Sequence, residues 1–443
     1  MINEALKKRI EQVLIVMFLS LLALKDFTGI GVSSVAFTVI WIVLILLADH
    51  STSAAFTLGV VICFASTLSI TIPTAFFILW TFIKRQEKFT LHAVFWVSFS
   101  VALMEFFRLL LVPDESFKLY VNTMIVVLLV VTIITELYNE YCDPVKCIKY
   151  YLVFYLFLTF DIIWATAKAL GGLGQIVSSR FRIGQVELAD EEVVGLLGMN
   201  SNGIALFSIL AVAFSILLMN KKHMRLWLVA CVTTYATVVG LLTVSKTFVL
   251  VYIVFWMLYF IWYVIKSGGN IFKPLGFIAG IGLVYVVILQ TDMAQNVIYR
   301  FVNEKDLTTG RVDIFWDYWN IMLKSPFDMV FGVGIQNTLP KTGMDVVPHN
   351  AFLELYVCLG ILGVALYTVF FIFLVKMGNR FRRKKHETKH AFITLLPFII
   401  YFIFIQGMQF LRINYVYALL PLVFACMVTL NKDSESLVEK LEN

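Results

Sequence analysis

Charge is what this sequence has least of. Only 14% of its 443 residues are charged while 60% are hydrophobic, whereas a soluble domain is about one quarter charged. That shortage excludes a chain solvated on all sides, and the mean hydropathy of +0.88 places it in lipid. Cysteine is scarce as well. The six cysteines (Cys63, Cys142, Cys147, Cys231, Cys358 and Cys426) show no metal-ligand spacing, which leaves no structural zinc site to expect. There is no Pro-rich linker, internal repeat or low-complexity tract. Walker A, GxGxxG before a helix, HExxH and a DxD pair are all missing. Each is the usual signature of nucleotide-driven or metal-assisted chemistry, so no cofactor or metal is expected, and no nucleic acid as partner. An enzyme of this composition must take an activated donor already in the membrane.

What is present is apolar helix. A spanning helix needs about 20 apolar residues, and in lipid each backbone amide must bond within its own segment. Apolar runs fall at about 12–24, 30–48, 54–70, 71–83, 90–112, 119–137, 148–170, 203–219, 226–243, 248–265, 274–290, 351–375, 391–410 and 414–430. They predict an all-α polytopic membrane protein, a bundle of about 12–14 transmembrane helices forming a single domain over 1–443. Pro73 marks a hairpin inside the long stretch Thr57–Phe82. Basic residues collect in cytoplasmic loops. Both termini are therefore expected in the cytoplasm, with the basic loop 376–390 (RFRRKKHETK within it) and the polar tail 431–443. The N-terminal MINEALKKRIEQ reads as a first anchor, and Cys142 and Cys147 fall in a cytoplasmic loop where thiols stay reduced. This threading leaves two sizeable outer segments, 171–202 and 291–350.

The second of these attracts the chemistry. Of six histidines, His349 alone faces outward, where Pro348-His349-Asn350 opens the helix AFLELYVCLGILG. Imidazole titrates near neutrality and so can carry a proton, and Pro348 fixes the backbone that aims it. Arg300 and Arg311 lie in the same segment, and Arg180 and Arg182 in the other. Guanidinium groups hold phosphate oxygens bidentately, but arginines beside a bilayer also snorkel to headgroups; both readings stay open on the residues alone. Between Arg311 and His349, Val312, Phe315, Trp316, Trp319 and Met322 share one helical face and Asp313, Asp317 and Asn320 the other, as in a helix lying in the membrane interface. Pro326 and the FGVG turn (Gly332, Gly334) end it. Glu354 is placed either to orient the imidazole or to support polar packing. Within spans, Glu105 with Arg108 and Asp161 with Lys168 are expected to neutralise each other.

These residues resemble the O-antigen ligase and Wzy-type polymerase superfamily. The resemblance rests on Thr309-Gly310-Arg311, Trp316, SPF at 325–327, FGVG, and HNAFLELYVCLGILG, about 65 residues in all. Lesser echoes are Arg182-x-Gly184 before Asn200 and Asn202, and LTVSK at 242–246, where Lys246 stands in place of the family's frequent arginine. The resemblance implies a metal-independent, inverting glycosyltransferase with a GT-C-like fold in the cytoplasmic (inner) membrane. Its donor would be an undecaprenyl-diphosphate-linked oligosaccharide, reached through the membrane lipid, with a flippase and a chain-length regulator as working partners. Carried over, His349 is the general base, Arg182, Arg300 and Arg311 bind diphosphate with Arg180 nearby, and Asn350 and Glu354 support them.

The expected activity is that of a polysaccharide polymerase (O-antigen, capsule or exopolysaccharide), joining the donor glycan to another lipid-linked repeat unit at the outer face. A ligase passing the same glycan to lipid A–core or another surface acceptor is the near rival, and a lipid-linked oligosaccharide transporter or flippase the distant one. Abundant Phe, Ile, Lys and Asn hint at an AT-rich genome and fit a source without lipopolysaccharide. The missing repeat speaks against a transporter.

Overall fold

The structure is a computed structural model that describes residues 4–84, 117–178, 182–187, 193–195, 200–266, 295, 310–335, 338–384, 391–408 and 414–429. The spans expected near 90–112 and 274–290, the Glu105 and Arg108 pair, Arg180, Arg300 and the tail 431–443 lie outside these residues.

The chain is an all-α polytopic membrane protein. Its helices are α1 (Glu4–Thr28), α2 (Ser34–Leu47), α3 (His50–Phe64), α4 (Thr71–Lys84), α5 (Phe117–Tyr138), α6 (Pro144–Leu170) and α7 (Leu173–Ser178). A small ribbon, β1 (Gln185–Glu187) with β2 (Val193–Gly195), pairs antiparallel with Gln185 opposite Gly195. Then come α8 (Ser201–Asn220), α9 (Leu226–Leu242), α10 (Lys246–Lys266), α11 (Arg311–Leu323), α12 (Pro326–Phe331), α13 (Thr338–Thr342), α14 (Ala351–Lys384), α15 (Ala391–Ile405), α16 (Asn414–Ala418) and α17 (Leu420–Val428). Among the described residues five helices (α5, α6, α8, α10 and α14) are long and apolar enough to cross a membrane, and six shorter helices are apolar. The basic segment from Lys376 begins as helix, since α14 runs on to Lys384.

Helix starts follow from local chemistry. Asn200 Oδ1 accepts from Gly203 N at 2.8 Å ahead of α8, and Asp49 Oδ1 accepts from Thr52 N at 2.9 Å ahead of α3. Each cap satisfies one of the amides left over in a first turn, worth about 1 kcal/mol. The expected hairpin lies at 65–70, with Pro73 in the first turn of α4, where its missing N–H removes no bond.

Backbone contacts sort the chain into two compact units. The first comprises 1–154, 310–386 and 405–429, the second 155–309, 387–404 and 430–443. In the first, Phe18, Trp41, Phe56 and Phe154 meet edge to face, with Phe18 and Phe56 centroids 5.0 Å apart. One end of this unit is tied by Lys146 to Asp49 (2.8 Å) and His50 to Glu136 (2.6 Å). Both pairs join stretches that the alternating threading puts on one side of the membrane. Beside them Cys142 and Cys147 are free thiols 3.4 Å apart. Their mutual hydrogen bond, burial and nearby carboxylates push Cys142 well above the ordinary thiol range, which leaves it a poor nucleophile.

The second unit packs α8 against α9 and α10, and Tyr155 donates to Ser208 Oγ at 2.9 Å. Along α6, Asp161 is buried, and Lys168, two turns on at the end of the helix, is exposed.

Candidate functional site

The first unit carries His349, Arg311, Asn350 and Glu354, all in or beside α11 and α14. Helix α11 begins at Arg311 because Gly310 takes a left-handed conformation (φ 74°) that turns the chain into the helix. At 100° per residue its positions form three sectors. Tyr318 and Met322 are fully buried, with Phe315, Ile314 and Trp319 packed partly over the same cluster against Leu353, Tyr356 and Val357 of α14. Asp313, Asp317 and Asn320 are exposed, as expected. Val312 and Trp316 are also exposed, which corrects the two-faced reading: they do not share the buried face of Met322. The reason is Tyr318, whose ring fills the core while its hydroxyl donates to Val346 O at 2.8 Å. A buried Tyr with a partner for its O–H is favourable at such a position. Tyr318→Phe should lower stability by about 1 kcal/mol, read as a fall of a few degrees in the unfolding temperature in detergent.

After α11, Ser325 Oγ accepts from Asp328 N and caps α12, with Pro326 at its first position. The FGVG turn then meets α14, and this contact reshapes the span. Inside α14, Gly360 has φ 71° and ψ −169°, which is not helical. A break there takes the carbonyls of Val357 and Cys358 away from their usual partners four residues on. Val333 N and Gly334 N donate to those two oxygens at 2.7 and 2.8 Å. The exchange matters because an unsatisfied backbone group within lipid costs several kcal/mol. It also demands glycine twice. A Cβ on Gly332 would lie 2.4 Å from Cys358 C, and one on Gly360 would lie 2.2 Å from Val330 O. Gly332 of FGVG and Gly360 of the following span are thus two halves of one backbone crossing.

The entrance of α14 lies about three turns before this crossing. Pro348 is buried. Asn350 caps the helix, its Oδ1 accepting from Leu353 N (3.0 Å), and its Nδ2 donates to Gln406 O (3.0 Å). Asn350 therefore fixes the backbone on the C-terminal side of His349 while Pro348 fixes the other. Glu354 is fully buried in the first turn, a position that suits a carboxylate.

His349 itself is half-buried. It is held below the ordinary imidazole value, first by burial and then by the positive charge of Arg311. Both favour the neutral ring, the form that can accept a proton. Arg311→Gln should therefore raise the His349 pKa and move the acid limb of a pH–activity profile to higher pH. An unmoved limb would show that the guanidinium does not act on the ring.

Arg182 lies in the second unit. It is half-buried and its Nη1 donates to Ser201 Oγ (3.2 Å) at the head of α8. Around it Ile183 N bonds Leu242 O, Gly184 N bonds Thr166 Oγ1, and Ser245 Oγ donates to Asn202 Oδ1 at 3.0 Å. Lys246 opens α10 next to Ser245. Two helix N-termini and the Arg182 guanidinium thus share this corner, an arrangement suited to anions. Ser201 and Ser245 carried no signal in the sequence, since isolated serines before helices are ordinary caps. Among the described residues no group of three His, Cys, Asp or Glu is arranged to hold a metal.

No curated protein matches the chain. Residues 231–368 match the family model described as O-antigen ligase. The matched segment contains Arg311, both glycines of the backbone crossing, and the helix entrance with His349 and Asn350. By that match this stretch of the chain is similar to the O-antigen ligase family, which agrees with a glycosyltransferase-like membrane enzyme.

Proposed function

We propose that the chain transfers a glycan from a lipid-linked diphosphate donor to a sugar hydroxyl, and that the acceptor is a second lipid-linked repeat unit, which makes it a polysaccharide polymerase. The observation carrying this reading is His349 held between buried Pro348 and the capping Asn350 at the mouth of a span, where the charge of Arg311 acts on its ring. His349 accepts the proton of the acceptor hydroxyl as its oxygen attacks the anomeric carbon. The bond from that carbon to the diphosphate oxygen breaks, with inversion. The departing diphosphate carries the negative charge, and Arg311 stabilises it from a fixed position. Arg182 and Arg300 are assigned to the diphosphate by resemblance, and the phosphate ester supplies the driving force without nucleotide or metal. The repeat-unit acceptor, and so the polymerase over the ligase, is favoured by the composition alone. The outer face of the cytoplasmic membrane is the side on which the basic-residue bias puts His349.

The test is to incubate purified chain with a lipid-diphosphate-linked oligosaccharide as donor and acceptor, in the presence of EDTA. A ladder of elongated lipid-linked glycans is expected. Transfer only to a different added acceptor would turn the reading to ligase. Translocation across vesicles with no new glycosidic bond would end the enzyme reading.

A further inference from the structure

Helix α11 has one sector packed on protein and one polar, which leaves a third that is apolar and uncovered. Val312, Trp316 and Leu323 fall within about 40° of one another around the axis, and Trp316 is 55% exposed. Along the chain, α12 also exposes Phe327 and Phe331, their rings 5.0 Å apart, and the start of α14 exposes Phe352. Helix α12 packs on α14, whose own exposed apolar residues belong to a membrane-crossing helix. The exposed apolar residues of α11 and α12 are therefore carried on elements packed against a membrane-crossing helix. The neighbouring polar sector of α11 carries Asp313 and Asp317, so attraction to anionic headgroups is not what would hold it.

We propose that α11 and α12 dock on the bilayer interface, with Val312, Trp316, Leu323, Phe327 and Phe331 seated in the upper acyl-chain region of the leaflet. The three sectors answer to three media: protein, lipid and water. Burial of such a strip is worth roughly 25 cal/mol per Å², and tryptophan prefers that depth. Because Tyr318 ties α11 to the 343–350 segment and the glycine crossing ties α12 to α14, docking also sets the height of His349 above the membrane. This last consequence rests on the proposed function, whereas the docking itself does not.

Trp316 reports the docking directly. The full chain is reconstituted in phosphatidylcholine vesicles carrying bromine either near the top of the acyl chains or near the bilayer centre, and emission of Trp316→Phe is subtracted from that of the parent. The Trp316 component should be quenched most by bromine near the top, less by bromine at the centre, and little by aqueous iodide. Trp316→Tyr should give the same difference, and so should a His349→Gln background, which separates docking from catalysis. Quenching by iodide and not by bromolipid would overturn the proposal. So would protection from both quenchers, which would mean that a second copy or another chain covers the strip.

Discussion

His349→Gln should lower glycan transfer by about 10²–10⁴-fold, the usual contribution of a positioned general base, while folding stays normal. Glutamine keeps a polar side chain at the helix entrance and leaves the backbone anchors untouched, because Pro348 is buried on one side and Asn350 keeps its bonds to Leu353 and Gln406 on the other. The measurement is chain elongation from a lipid-linked donor beside the unfolding temperature of the same sample. Loss of transfer at unchanged stability supports the base role. Transfer within a factor of a few of the parent would remove His349 from the chemistry. A parallel fall in stability would make the residue structural, and the imidazole would lose its place in the mechanism.

Gly360→Ala should be the most damaging single change to the fold in this region. The backbone at Gly360 (φ 71°, ψ −169°) falls in a region essentially closed to residues with a side chain, at a cost of about 1–3 kcal/mol. A new Cβ would in addition sit 2.2 Å from Val330 O and 2.6 Å from Gly332 N. Relief requires the two strands of backbone to part, which would strip Val357 O and Cys358 O of their donors. A total loss of more than about 3 kcal/mol is expected, seen as failure to recover monodisperse protein or a large drop in unfolding temperature. Gly343→Ala is the control. It too has positive φ (68°) but open space around it, so only the conformational cost of about 1–2 kcal/mol applies. Equal behaviour of the two variants would mean that the crossing is not what demands glycine.

Most of the secondary structure was legible from the apolar runs because in lipid the backbone has one economical solution. Runs such as 203–219 and 226–243 became α8 and α9 within a residue or two. The position of His349 was legible for a similar reason: a proline and a cap residue beside an apolar run announce a helix entrance. The inward face of α11 was not. Its apolar positions cover more than half of the helix circumference, so periodicity alone could not say which part meets protein and which meets lipid, and nothing in the pattern singled out Tyr318 as a core residue. The break at Gly360 was equally hidden. An apolar run reads the same whether or not one residue in it leaves the helix, and the glycines looked like a motif without a stated reason.

Thus the chain's order of residues determined by itself that this is a helical membrane protein, roughly where most of its apolar helices run, and that one imidazole sits at a helix mouth. Tertiary structure alone decided that two distant glycines meet backbone to backbone, that Tyr318 is buried and Trp316 exposed, and that Arg311 biases the charge of His349. The physical reason is range. Hydropathy and capping act over a few neighbouring residues, whereas close approach, burial and electrostatic bias depend on segments some tens of residues apart in the chain.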